Sequence, residues 1–172
     1  WLTLVQKKTY IRNDQFATVN VRIDKSKVKE PGLYTAKISA FRDDASKTPE
    51  FDLLATVVIP YEINSSNNYK MIWKDQTINQ GMIKRYFVKV PAGQNSMKIT
   101  LNRDASSNKY SRCRYFLTNN DGVQVDVSNV LYSVNKDEKV ENYYYDLEPG
   151  IYEIDIDGFF LATDPSTYNL GV

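Results

Sequence analysis

The chain has 172 residues, with Lys+Arg 22 against Asp+Glu 21, no His and one Cys. That length suits one large domain or two small ones with a real core, and a net charge of +1 gives no long-range field to gather phosphate, so nucleic acid is not an expected partner. Without His no imidazole-based triad or His-ligated zinc site can be assembled, and Cys113 alone makes neither a thiolate cluster nor an internal disulfide.

The sequence opens on Trp1 with no initiator Met, no basic leader and no apolar run long enough to span a bilayer, so no membrane is expected. It reads as a segment of a longer protein. Val19, Val21 and Ile23 then alternate with Thr18, Asn20 and Arg22, the pattern of a half-buried strand. Tyr34, Ala36, Ile38 and Ala40 repeat it. Phe51 to Ile59 is an almost continuous apolar run, which predicts a strand covered on both faces. Further strands are predicted over 83–90, 97–101, 113–118, 123–127, 143–147 and 151–157. Val123, Val125 and Val127 alternate cleanly with Gln124 and Asp126. No window of a dozen residues keeps a helical apolar stripe, and aromatics at 13% favour strands.

Turn chemistry agrees. Glu30-Pro31-Gly32-Leu33-Tyr34 and Glu148-Pro149-Gly150-Ile151-Tyr152 are one device used twice, with Pro fixing φ and Gly expected at positive φ before a strand. Pro91-Ala92-Gly93 is a looser relative, and Asn120-Asp121-Gly122 signals a hairpin. The polar, Asn/Ser-rich stretch 62–68 after Pro60 reads as a linker. The expected architecture is all-β: an immunoglobulin-like sandwich portion over 1–61, too short to be complete, then a jelly-roll-like antiparallel β-sandwich over 69–172.

Two stretches carry a family resemblance. The first runs from Val19 to Asp24, through Gly32-Leu33-Tyr34-Thr35 to Phe41, and ends in Phe51–Ile59. It resembles the β-domain that follows the catalytic domain in large subtilisin-like serine peptidases. The second runs from Asn68-Tyr69-Lys70 to Gln80-Gly81-Met82-Ile83-Lys84-Arg85-Tyr86-Phe87-Val88-Lys89-Val90-Pro91-Ala92-Gly93 and on to Met97–Leu101. It resembles the tripeptidyl peptidase II family, just beyond the subtilisin-type domain. The resemblance spans residues 17–101 and fades between Asp104 and Lys139. It implies a non-catalytic accessory region of a cytoplasmic exopeptidase that releases tripeptides from free N-termini. The implied partners are its own peptidase domain and, in the parent, further copies of the chain, with peptide substrates reached only through that parent. No catalytic residue carries over, and no cofactor or metal residue is implied.

Asp155 and Asp157, with Asp121 and Asp126, offer carboxylates to Ca²⁺, but alternate strand positions give one row of oxygens where calcium wants six to eight converging. The expected state is a solvated face opposite Ile154 and Ile156. Tyr143, Tyr144, Tyr145, Tyr152 and Trp73 offer rings for stacking on a carbohydrate, although aromatics also fill cores. Residues 109–115, Lys109 to Tyr115, interleave basic and aromatic side chains like a single-strand nucleic-acid binder; Cys113 and Tyr115 are expected to turn inward instead. Lys84 and Arg85 point to opposite faces, Asn64-Ser65-Ser66 is a glycosylation sequon, and no acidic pair stands out for a carboxylate-only hydrolase. A free-standing module for sugar or calcium is the alternative to the accessory region.

Overall fold

In the computed structural model, residues 1–11, 13–104, 110–132 and 138–172 are described. The architecture is all-β, and the chain divides into two compact units, Trp1–Ile59 and Pro60–Val172.

The first unit contains two antiparallel ribbons. Strand β1 (Leu2–Leu4) pairs with β2 (Val21–Ile23), placing Leu2 opposite Ile23 and Leu4 opposite Val21. Strand β3 (Gly32–Ala40) pairs along its whole length with β4 (Phe51–Ile59). Two two-stranded ribbons are fewer strands than an immunoglobulin-like sandwich holds. The run Phe51–Ile59 is therefore not covered on both faces as its composition predicted: Phe51 is 51%, Leu53 44% and Leu54 75% exposed.

The second unit holds β5 (Tyr61–Glu62), β6 (Ile72–Ile78), β7 (Ile83–Val90), β8 (Met97–Arg103), β9 (Cys113–Thr118), β10 (Gln124–Val127), β11 (Glu138–Tyr144), β12 (Gly150–Gly158) and β13 (Ser166–Gly171). One sheet runs β11-β8-β13-β6 and the other β10-β9-β12-β7-β5. From β6 onward the chain changes sheet at every connection except the β9–β10 hairpin, which is jelly-roll topology. The segment expected as a linker has structure of its own in this unit. Tyr61 and Glu62 pair in parallel with Val88 and Lys89 of β7. Residues Ser65–Asn67 form a 3₁₀ turn capped by Asn64, whose Oδ1 accepts from the Ser66 amide and hydroxyl.

Period-2 alternation builds the core. Ile99 and Leu101 of β8, Tyr115 and Leu117 of β9, Ile154 and Ile156 of β12, and Tyr168 and Leu170 of β13 are fully buried between the sheets. The Tyr86 and Tyr168 hydroxyls meet at 2.9 Å across that core, which satisfies two polar atoms that burial would otherwise strand. Buried Arg103 donates from Nε and Nη2 to the Ser111 hydroxyl at 3.1 and 2.5 Å.

The repeated turn closes in the same way in both units. Tyr34 donates its hydroxyl to the Glu30 carbonyl at 2.9 Å, and Tyr152 donates to the Glu148 carbonyl at 3.2 Å. Each is a tyrosine tying its strand back to the turn that started it. The glycines differ, however. Gly32 has φ +153°, whereas Gly150 lies outside positive φ and instead lets Asn120 approach, since a Cβ there would sit 2.7 Å from Asn120 Cβ. One motif glycine serves the backbone and the other serves packing.

Candidate functional site

The edges and ends of the jelly roll carry two clefts of about 570 Å³ each. The first spreads over the outer side of β8 and β13. Because Ile99 and Leu101 face inward, Lys98, Thr100 and Asn102 face outward, joined by Asn169 of β13 and by Lys70, Lys89 and Lys139. Its lining is basic, but most of the charge is met locally. Glu141 bridges Lys98 and Lys139, which together with the Tyr143 hydroxyl hold its carboxyl down at about 2. Lys89 pairs with Glu62 at 3.1 Å.

The second cleft forms where the β9–β10 turn meets the β11–β12 loop. Tyr143, Tyr144, Tyr145 and Tyr152 line it, with Asn119, Asn120, Asp121, Asp146 and Glu148 around them. Four of the five rings singled out for stacking thus share one cavity. Trp73 does not; it packs edge-on to Tyr61 at 4.8 Å and against Tyr86 at 4.7 Å at the margin of the core. Sequence reasoning singled out Asp121 only as a carboxylate for calcium and missed Asp146 and Glu148 as its neighbours, because the β9–β10 turn and the β11–β12 loop come together only through the tertiary fold.

Beneath the second cleft lies a polar knot between the sheets. The Tyr144 hydroxyl donates to Asp126 Oδ2 at 2.5 Å and lies 2.6 Å from the Tyr115 hydroxyl, while Asn142 donates to Tyr115 at 2.8 Å and to Asp126 at 3.1 Å. Burial pushes both phenols upward, and Asp126 reinforces the shift at Tyr144. Asp126 reaches this knot because a bulge between Gln124 and Asp126 breaks the alternation of β10. Val123, Val125 and Val127, in and beside this edge strand, are exposed, against the half-buried strand their pattern predicts.

The four aspartates weighed for calcium lie apart. Asp157 pairs with Arg114 at 2.9 Å, and that guanidinium also lies over the Phe116 and Phe159 rings at 4.7 and 5.0 Å. Asp155 faces Arg85 at 3.9 Å; burial, and then neighbouring Glu153, raise its carboxyl to about 6. Asp121 is in the β9–β10 turn and Asp126 in the knot. No group of three or more metal-binding side chains gathers among the described residues.

Lys109 lies outside the described residues. Tyr110 is exposed, while Cys113 and Tyr115 are buried as their alternation predicts. Burial pushes the Cys113 thiol up to about 12, which suits a packed core residue and not a nucleophile. Lys84 donates to Gln76 at 2.6 Å while Arg85 pairs with Glu153 at 3.4 Å. The sequon Asn64 is occupied as a cap.

The fold and clefts define a jelly-roll β-sandwich module preceded by a ribbon unit. No family model matches the chain. Among solved structures it is similar to the crystal structure of tripeptidyl peptidase 2 (TPP II), with a TM-score of 0.68 at 16% identity over 89% of this chain. The match spans 14% of that protein's length, so the likeness is one of fold over a small part of a much longer chain.

Proposed function

We propose that this chain is a non-catalytic accessory region of a subtilisin-like serine peptidase resembling tripeptidyl peptidase II, which would release tripeptides from peptide N-termini. It would act as a rigid β scaffold that supports the peptidase domain and subunit assembly in the cytoplasm. The observation that carries this reading is the fold likeness over 89% of the chain to 14% of a peptidase. The absence of His from all 172 residues supports it, because the proton transfer of a subtilisin-type triad needs an imidazole.

The test is direct. Purified chain incubated with tripeptide-amide substrates releases no product above buffer. Turnover that coelutes with the homogeneous protein would overturn the accessory reading.

A further inference from the structure

We propose that strand β4 is an interface between copies of this chain: its free edge pairs antiparallel with β4 of a second copy, across a two-fold axis at Ala55. This deepens the assembly part of the accessory reading but rests on the ribbon alone.

The edge is the first observation. Strands β3 and β4 form a sheet of two, and over 51–59 no backbone group of β4 bonds outside its ladder with β3 among the described residues. Every second residue of β4 therefore turns its N–H and C=O away from β3, a template for another strand. Edges of the jelly roll are guarded against such pairing. Strand β10 is bulged, β6 carries Asp75 at φ +52°, β11 bears the Lys139–Glu141 pair, and β5 is two residues long. Strand β4 has no such guard. Its nine residues hold one charge, Asp52, and neither Pro nor Gly.

Self-complementarity is the second observation, and it names the occupant. Full antiparallel overlap of two copies of 51–59 sets Phe51 opposite Ile59, Leu53 opposite Val57 and Ala55 opposite its own counterpart. Residues opposite one another share a face, so this register runs the apolar row of one copy into that of the other. A slip of one residue would set that row against Asp52, Leu54 and Thr56 instead. Charge agrees with the register. Asp52 falls opposite Val58, so the two Asp52 side chains stand at opposite ends of the pair. The same operation on β3, centred on Ala36, would bring Lys37 of both copies diagonally across the axis, where like charges repel. Pairing through β4 joins two ribbons, each marginal alone, into one closed four-stranded sheet.

The experiment is sedimentation velocity of the full chain over about a hundredfold range of concentration. The chain shifts from monomer to dimer as concentration rises, and the mass stops at the dimer. Leu54→Glu and Thr56→Lys each weaken dimerisation by about tenfold, since each alters two cross-strand pairs and sets like charges diagonally across the axis. Leu54 is 75% exposed and Thr56 is exposed, so both variants fold, and thermal unfolding at the wild-type temperature shows it. An equimolar mixture of the two variants regains the dimer, because the register places the new carboxylate opposite the new ammonium. Thr35→Glu, on β3, leaves dimerisation unchanged. A chain that stays monomeric throughout, a mass that grows past the dimer, or a mixture that associates no better than either variant alone would each overturn the proposal. Tripeptide release by the chain would sink the accessory reading and leave this one standing.

Discussion

The two units use the same alternating patterns and reach opposite packing outcomes. In the β3–β4 ribbon the register puts Tyr34, Ala36, Ile38 and Ala40 on one face with Val57, Ala55, Leu53 and Phe51. Every one of these is apolar, yet Val28 is the one buried residue described in the first unit. In the jelly roll the equivalent inward positions of β8, β9, β12 and β13 are almost wholly sealed from solvent. Period-2 alternation names the face that seeks burial. Whether that face is buried depends on a second sheet wide enough to cover it: the jelly roll sets a four-stranded against a five-stranded sheet, whereas the described residues of the first unit form two two-stranded ribbons.

The largest expected effects follow from that contrast. Ile154 and Leu117 are fully enclosed, so Ile154→Ala or Leu117→Ala removes apolar contacts and leaves a cavity, costing about 2–5 kcal/mol. Leu53→Ala, at a side chain 44% exposed, costs under about 1 kcal/mol. Urea unfolding of the full chain, read by tyrosine and tryptophan fluorescence, measures both. Equal losses at Leu53 and Ile154 would mean that the ribbon face is as well covered as the jelly-roll core.

What was legible in the sequence sorts along the same line. Strands β8, β9 and β12 stand out because Met97, Ile99 and Leu101, then Cys113, Tyr115 and Leu117, then Tyr152, Ile154 and Ile156 alternate inward, although β8 runs on to a buried Arg103 that its apolar pattern does not reach. Strands β6 and β13 did not. Ile72–Ile78 is interrupted by Lys74, Asp75 and Gln76, with Asp75 at φ +52°, and Ser166–Gly171 carries its burial on Tyr168 and Leu170. Neighbours on both sides of β13 supply what its own pattern lacks. At the candidate site the tyrosines were legible as a type. Their union with Asp121 was not, because it depends on two loops meeting.

Ionisation separates the units next. In the first unit Asp24, Asp43 and Asp52 are held below the ordinary carboxyl range, chiefly by the hydroxyls of Ser26, Ser46 and Ser39. A carboxyl lowered on folding contributes stability that is present above its unfolded value and lost as pH falls. Asp155 runs the other way. Its Oδ1 is buried without a hydrogen bond, and burial with Glu153 alongside raises it from 3.8 to about 6 against the pull of Arg85. The folded state then binds the extra proton between pH about 4 and 6, so this contribution is full below that window and lost as pH rises through it. Glu141, lowered by Lys139 and Lys98, works in the acid direction, so the substitution must isolate Asp155. Asp155→Asn gains about 1–3 kcal/mol at pH 7 and little at pH 4. Urea midpoints at the two pH values test this, and an equal gain at both would remove the buried carboxylate as the cause.

The smallest expected difference lies in the motif that the units share. Tyr34→Phe and Tyr152→Phe each delete one hydroxyl and leave one glutamate carbonyl without its donor. A hydrogen bond of this kind contributes about 0.5–1.5 kcal/mol, and the loss is greatest where water cannot replace the missing donor. Tyr152 is 3% exposed and joins the core cluster, whereas Tyr34 is only half-buried beside Trp1, whose ring lies 6.3 Å away. Tyr152→Phe therefore costs the upper part of that range and Tyr34→Phe the lower. The geometry alone argues for the opposite order, since the Tyr34 bond is the shorter at 2.9 Å against 3.2 Å. Denaturation midpoints of the two variants decide between them: a larger loss at Tyr34 would make bond length, and not enclosure by a second sheet, the quantity that separates the two units.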